Sequence, residues 1–229
     1  MIFRQLIEPQ SSTYTYLLAD EKTKEGIIID TVLETADRDF TLIQELGIKL
    51  QWILDTHVHA DHITGAAVLR EKTGAKTGLG KATGLACADR LFDDGETFQV
   101  GSMNIKVLST PGHTNGCHCF LVNGKMIFTG DTLLIRGCGR TDFQEGSAEK
   151  LFDSVRAKIF TLPDETVIYP AHDYQNRTHT TVGEEKELNP RLKLSHNKAD
   201  FVKIMSELKL DRPKQIDRAV PANLNCGKI

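Results

Sequence analysis

The chain is predicted to fold as an α/β protein, two β-sheets layered together with helices outside. Three observations carry that prediction. Short apolar, β-branched runs recur along the sequence. Stretches with apolar residues at helical spacing are interspersed among them, which favours layered sheets flanked by helices over an all-β or all-α arrangement. The strongest turn signal, Asn123-Gly124, sits between two of the runs and marks them as a hairpin.

In order, Met1 to Leu6 is strand-like, and Tyr14 to Leu18, Gly26 to Asp30 and Leu50 to Leu54 are the next predicted strands. Between the last two, Thr35 to Leu46 places Phe40, Ile43 and Leu46 at helical spacing and stops at Gly47. Ile63 to Lys72 is a second helix, ended by Gly74. Strands follow over Thr97 to Val100, Asn104 to Ser109, Cys119 to Val122 and Lys125 to Thr129. Then come a helix from Ser147 to Lys158, a buried-looking strand from Thr166 to Tyr169, and helical stretches near Thr178 to Leu188 and Lys198 to Leu208. The remainder is expected to be a loop-like tail. No repeat, low-complexity tract or long linker divides the chain, so residues 1–229 are expected to form a single domain.

Hydrophobic content of 40% is enough for a self-sufficient core at this length. A net charge of -3, with no basic run, argues against nucleic acid or an anionic membrane as partner. No stretch approaches the roughly 18 apolar residues of a membrane span. The five cysteines (Cys87, Cys117, Cys119, Cys138 and Cys226) are odd in number and widely spread, which is not a disulfide framework. With no signal or transit pattern at the N-terminus, the expected setting is the cytoplasm, or the mitochondrial matrix if a transit peptide has been removed.

The chemistry is carried by polar residues at strand ends. Leu50 to Asp55 runs into Thr56-His57-Val58-His59-Ala60-Asp61-His62, and Ile105 to Leu108 runs into Thr110-Pro111-Gly112-His113. Met126 to Gly130 ends at Asp131, and Val167 to Pro170 leads to Ala171-His172. Four segments thus set a His or Asp just past a strand, where a rigid sheet can present side chains to one crevice. Five of the eight histidines fall in this pattern, whereas His118, His179 and His196 do not. Imidazole and carboxylate are the usual ligands of zinc, iron and manganese. Spacing alone leaves both one and two metals open.

The segment from Thr56 to His62 matches the HxHxDH signature of the metallo-β-lactamase superfamily, with His113, Asp131 and His172 at the later ligand positions. The resemblance implies an αββα sandwich, two mixed sheets flanked by helices. A finer resemblance, to the persulfide dioxygenases of the ETHE1 type, covers nearly the whole chain. It rests on His59 to Gly65, Leu134 to Phe143, Tyr169 to Tyr174, Leu188 to Leu192 and Ala219 to Asn223. Those enzymes oxidise glutathione persulfide with O2 to sulfite and glutathione.

The resemblance implies one Fe(II) per chain, held by His57, His113 and Asp131, with His59, Asp61, His62 and His172 either supporting that triad or holding a second metal. It also implies that Tyr174 and Arg191 hold the glutathione moiety. Arg140 and Asp142, in a Gly-flanked loop, are expected to be an ion pair shaping the pocket wall, and Cys138 is divided evenly between a role near the site and plain burial. Cys117 and Cys119 are expected in the core. A homodimer is left open. The competing activity is a glyoxalase II-type hydrolase of glutathione thioesters with two metals, since a metal-bound hydroxide would need the same residues. A non-enzymatic structural metal site is disfavoured, because such sites are usually closed by four Cys or His ligands near one another in sequence.

Overall fold

The computed structural model describes residues 1–229 as two six-stranded sheets packed face to face. The first contains β1 (Ile2–Glu8), β2 (Thr13–Ala19), β3 (Glu25–Ile29), β4 (Lys49–Leu54), β5 (Lys76–Gly80) and β6 (Arg90–Phe92), side by side in chain order. The second contains β7 (Thr97–Val100), β8 (Met103–Ser109), β9 (His118–Val122), β10 (Met126–Gly130), β11 (Val167–Pro170) and β12 (Thr180–Thr181), also in consecutive order. Both sheets are mixed. Strands β3 to β6 pair in parallel, as do β10 and β11, while the other neighbours are antiparallel.

Alternation within the strands builds three apolar layers. Tyr16, Leu18, Ile27, Ile29 and Leu54 of the first sheet meet Val107, Phe120, Val122 and Phe128 of the second in the central layer. On the outer face of the first sheet, Leu17, Ile28 and Ile53 pack on Ile43 of α1 (Ala36–Glu45) and Leu69 of α2 (Ala66–Thr73). On the outer face of the second, Leu121, Ile127 and Ile168 pack on Leu151 of α3 (Ala148–Ser154) and Phe201 of α5 (Lys198–Ser206). Strands buried on both faces explain why the sequence shows near-continuous apolar runs. This is the αββα arrangement that the resemblance implies.

The structure departs from the expected elements in particular places. Two short strands, β5 and β6, were not foreseen. Four of their eight residues are the glycines Gly78 and Gly80 and the charged Lys76 and Arg90, which carry no strand signal. The stretch expected as helix from Thr178 begins as β12 and turns helical only at α4 (Val182–Leu188), where the Thr181 hydroxyl caps the Glu184 N–H. Helix α3 ends in a π-helical turn, Val155–Ile159. The tail is not loop-like throughout: α6 spans Ile216–Asn223 despite an internal Pro221. Burial of Ala219 and Ala222 against Ile63 overrides the local cost of that proline. The cysteine reading also needs correction, since Cys87 and Cys226 are joined by a disulfide across 139 residues. A separation that long leaves no spacing signal.

Candidate metal centre

The four strand ends named above converge at one edge of the sandwich. The His57 ring lies 4.1 Å from that of His59 and 4.9 Å from that of His113, and His59 lies 4.3 Å from His62. Two glycines allow this closeness. Gly130 closes β10 with φ +52, and a Cβ there would occupy the space of the Thr56 side chain. At Gly139 a Cβ would stand 2.7 Å from His113 Nδ1 and 2.5 Å from the Asp131 carbonyl.

Hydrogen bonds to the far side of each ring decide which nitrogen faces the centre. The His113 Nδ1–H donates to the Arg140 carbonyl at 2.7 Å, so Nε2 carries the lone pair. The Thr56 hydroxyl gives its proton to the Asp30 carboxylate at 3.0 Å and therefore accepts from His57 Nδ1, also at 3.0 Å. That leaves His57 Nε2 unprotonated as well. The His172 Nδ1–H donates to the Ser12 carbonyl at 3.3 Å, turning Nε2 toward Asp61 and Asp131 at 3.5 and 3.6 Å. Such outward bonds to carbonyls and hydroxyls are how proteins orient metal-binding imidazoles.

The donor set fits a metal ion. Donor atoms of His57, His113 and Asp131 all lie within 4.8 Å of one another, and those of His59, Asp61 and His62 form a second such group. Asp131 Oδ1 and His62 Nε2 are buried with no hydrogen-bond partner in the protein. Orphaned lone pairs of that kind are costly unless something electropositive meets them. Burial drives the His57 imidazole well toward its neutral, ligating form. Burial also opposes charge on His59, but the Asp30 carboxylate 3.2 Å away outweighs it and raises this imidazole to about 9.

Asp30 is a further buried residue of the site, outside the set expected from the sequence. It follows strand β3 as the other polar groups follow theirs, and it accepts from the Thr56 N–H, the Thr56 hydroxyl and His59. The same strand-end rule could have found it. His118, set aside in the sequence, is a buried structural histidine whose Nδ1 accepts the Gly80 N–H at 3.0 Å.

A cavity of about 570 Å3 opens over the centre, within the range of small-molecule sites. His57, His113, Asp131 and His172 line its floor, and Arg140, Arg177 and Arg191 line its walls. Arg191 donates to the Cys138 carbonyl at 3.0 Å. Tyr174 is 73% exposed and stacks on His172 with ring centroids 6.1 Å apart. Arg140 grips Asp142 through two bonds of 2.7 and 2.8 Å and donates to the Asp211 carbonyl at 2.6 Å, the geometry of a wall-shaping pair. Cys138 is a buried residue of the cavity lining, and that burial pushes its thiol up to about 11.

Comparison with known proteins agrees with this geometry. Residues 9–172 match the family model described as the metallo-β-lactamase superfamily. A Bos taurus protein named mitochondrial persulfide dioxygenase ETHE1 is 52% identical over 99% of this chain and 89% of its own length. The crystal structure of ETHE1 from Myxococcus xanthus superposes with a TM-score of 0.96 at 50% identity, covering all of both chains. A Dictyostelium discoideum protein named Glyoxylase B2 is 32% identical over 97% of this chain and 89% of its own length.

Proposed function

The chain belongs to the metallo-β-lactamase superfamily, among its ETHE1-type persulfide dioxygenases, and on that footing we propose that it oxidises glutathione persulfide with O2 to sulfite and glutathione. The overall change is GSSH + O2 + H2O → GSH + sulfite + two protons. The observation that carries the reading is the convergence of two imidazoles and one carboxylate, His57, His113 and Asp131, on the floor of an arginine-walled cavity. A 2-His-1-carboxylate set leaves coordination positions open and is typical of non-haem Fe(II) oxygenases. One Fe(II) per chain, held there, would supply the one-electron chemistry that lets triplet O2 react with a closed-shell sulfur anion.

The protein's own groups supply placement. Thr56 and the Arg140 carbonyl hold the two ring protons away from the centre, so His57 Nε2 and His113 Nε2 are available as ligands. His59 is anchored by Asp30 and His62 by Thr13, while Asp61 and His172 share the cavity with the triad. Glutathione carries two carboxylates, and Arg191 with Tyr174 at the cavity wall and mouth is suited to hold it. We read the whole chain as one domain, acting in the cytoplasm or the mitochondrial matrix, where glutathione is abundant.

A second reading, a glyoxalase II-type dinuclear hydrolase, is favoured by the second donor group, His59, Asp61 and His62, and by the 32% identical Glyoxylase B2. Metal analysis of anaerobically purified protein, coupled to O2 uptake with glutathione persulfide, separates the two. About one iron per chain with O2 consumption is expected. Two zinc ions with hydrolysis of S-lactoylglutathione and no O2 uptake would overturn the dioxygenase reading.

A further inference from the structure

Residues 55–65 form almost no regular structure, so their carbonyls cannot be satisfied by a ladder of their own. The Asn223 side chain satisfies two of them. Its amide nitrogen donates to the carbonyls of His59 at 2.9 Å and His62 at 2.8 Å, and its oxygen accepts the Thr64 N–H at 2.9 Å. Three of the four hydrogen-bonding positions of this buried amide are thereby used on one loop. The two carbonyls bracket Ala60 and Asp61, so holding them holds the arc of backbone from which Asp61 and His62 project.

Helix α6, which carries Asn223, has few other anchors. Ala219 and Ala222 pack on Ile63, and Val220 packs beside Val58 and Leu79. No side chain caps its N-terminus, and Pro221 removes one of its internal bonds. Three residues past Asn223, Cys226 is bonded to Cys87, which lies half-buried in the loop between β5 and β6. Gly227 then passes so close to Thr64 that a Cβ would stand 2.5 Å from its carbonyl. The end of the chain is thus tied down directly against the loop.

We propose that the Cys87–Cys226 disulfide latches helix α6 so that Asn223 acts as a positioning residue for the loop bearing Asp61 and His62, making metal retention sensitive to thiol redox state. The inference rests on this loop belonging to a metal site, and not on which metal or substrate the site takes. To open the latch, a dithiol gives two electrons and two protons to the S–S bond, yielding two cysteine thiols and its own cyclic disulfide. Oxidised glutathione closes it again, leaving as two molecules of glutathione. With the latch open, only small apolar contacts and the three amide bonds hold α6, and the loop gains freedom.

The full chain loaded with Co(II) serves as probe, with cobalt release to EDTA and the cobalt visible absorption band as the two readouts. One sample is equilibrated with oxidised glutathione; the other is reduced with a dithiol that is removed before cobalt is added. The oxidised chain should have three titratable thiols on denaturation, Cys117, Cys119 and Cys138. Reduction should speed release by about tenfold, the lower end of what losing an outer support costs a metal site, and shift the band. Cys87→Ser should reproduce both changes without reductant and respond no further to it. Asn223→Ala, with its disulfide intact, should release cobalt as fast as the reduced wild type, and reduction should add nothing.

Equal release from oxidised and reduced wild type overturns the proposal, as do five free thiols in the oxidised sample. So does reduction that speeds release in Asn223→Ala as much as in wild type, because the disulfide would then act by another route. Should Asn223→Ala not fold, the wild-type and Cys87→Ser comparison decides alone. Redox-dependent cobalt release in a protein that consumes no O2 would leave the latch standing and remove only the dioxygenase reading.

Discussion

Asp131 has a buried oxygen that no group of the protein satisfies, just past a strand that is buried from Ile127 to Gly130. Asp131→Ala should therefore lose most bound metal, to below about a tenth of wild type, while circular dichroism stays unchanged. Full metal content in this variant would take Asp131 out of the ligand set. Arg191 reaches the same cavity from the wall, and Arg191→Ala should raise KM for glutathione persulfide about tenfold or more, with kcat and iron retained. An unchanged KM would clear it of substrate binding. Asp131 was visible in the sequence because a carboxylate just past a strand repeats the context of the histidines, whereas Arg191 was indicated only by the family resemblance. Asp30 has that context too, yet it acts through Thr56 and His59 and lies outside the His-rich segment that marks the site. Asn223 was legible only as part of a matching tail, because an amide has no ligand chemistry and its partners are 159 to 164 residues away.

At the scale of elements, the hairpin Asn123-Gly124 is the clearest case of a turn written in the sequence. Both residues take left-handed conformations, φ 53 and 66, and they close β9 onto β10 with Val122 opposite Met126. A Cβ at Gly124 would meet nothing within 4 Å, so Gly124→Ala tests the backbone cost by itself. We expect a loss of about 1 kcal/mol, seen as a fall in Tm of about 2–4 °C, with metal content unchanged. The site lies at the opposite end of β10, beyond Gly130, which is why the two properties should separate. No change in Tm would mean that the turn does not require the left-handed geometry. Elements that the sequence concealed were those whose stability comes from elsewhere. Strand β6 exists by pairing with β5, and α6 exists by docking on Ile63 and on the loop that Asn223 holds.

Across the whole molecule, layering was legible because β-branched runs must bury both faces, and only sheets covered on both sides allow that. The same layering seals three thiols. Cys119 lies in the layer between the second sheet and its helices, Cys138 lies in that layer against Met205, and Cys117 is buried just before β9. Burial raises Cys117 and Cys119 to about 12 and Cys138 to about 11, from an ordinary value of 9.0. The folded state therefore keeps protons that the unfolded state gives up above pH 9. This contribution to stability is fully present below pH 9 and is lost as pH rises from 9 through 11 and 12. The slope is up to about 1.4 kcal/mol per pH unit for each thiol. Thermal denaturation of the oxidised protein between pH 8 and 11 should show Tm falling above pH 9, and Cys138→Ala should fall less steeply. Identical slopes for the two would show that the Cys138 thiol does not hold its proton through folding. The same burial predicts that alkylating reagents leave these thiols unmodified in the native protein at neutral pH, because only the exposed thiolate reacts.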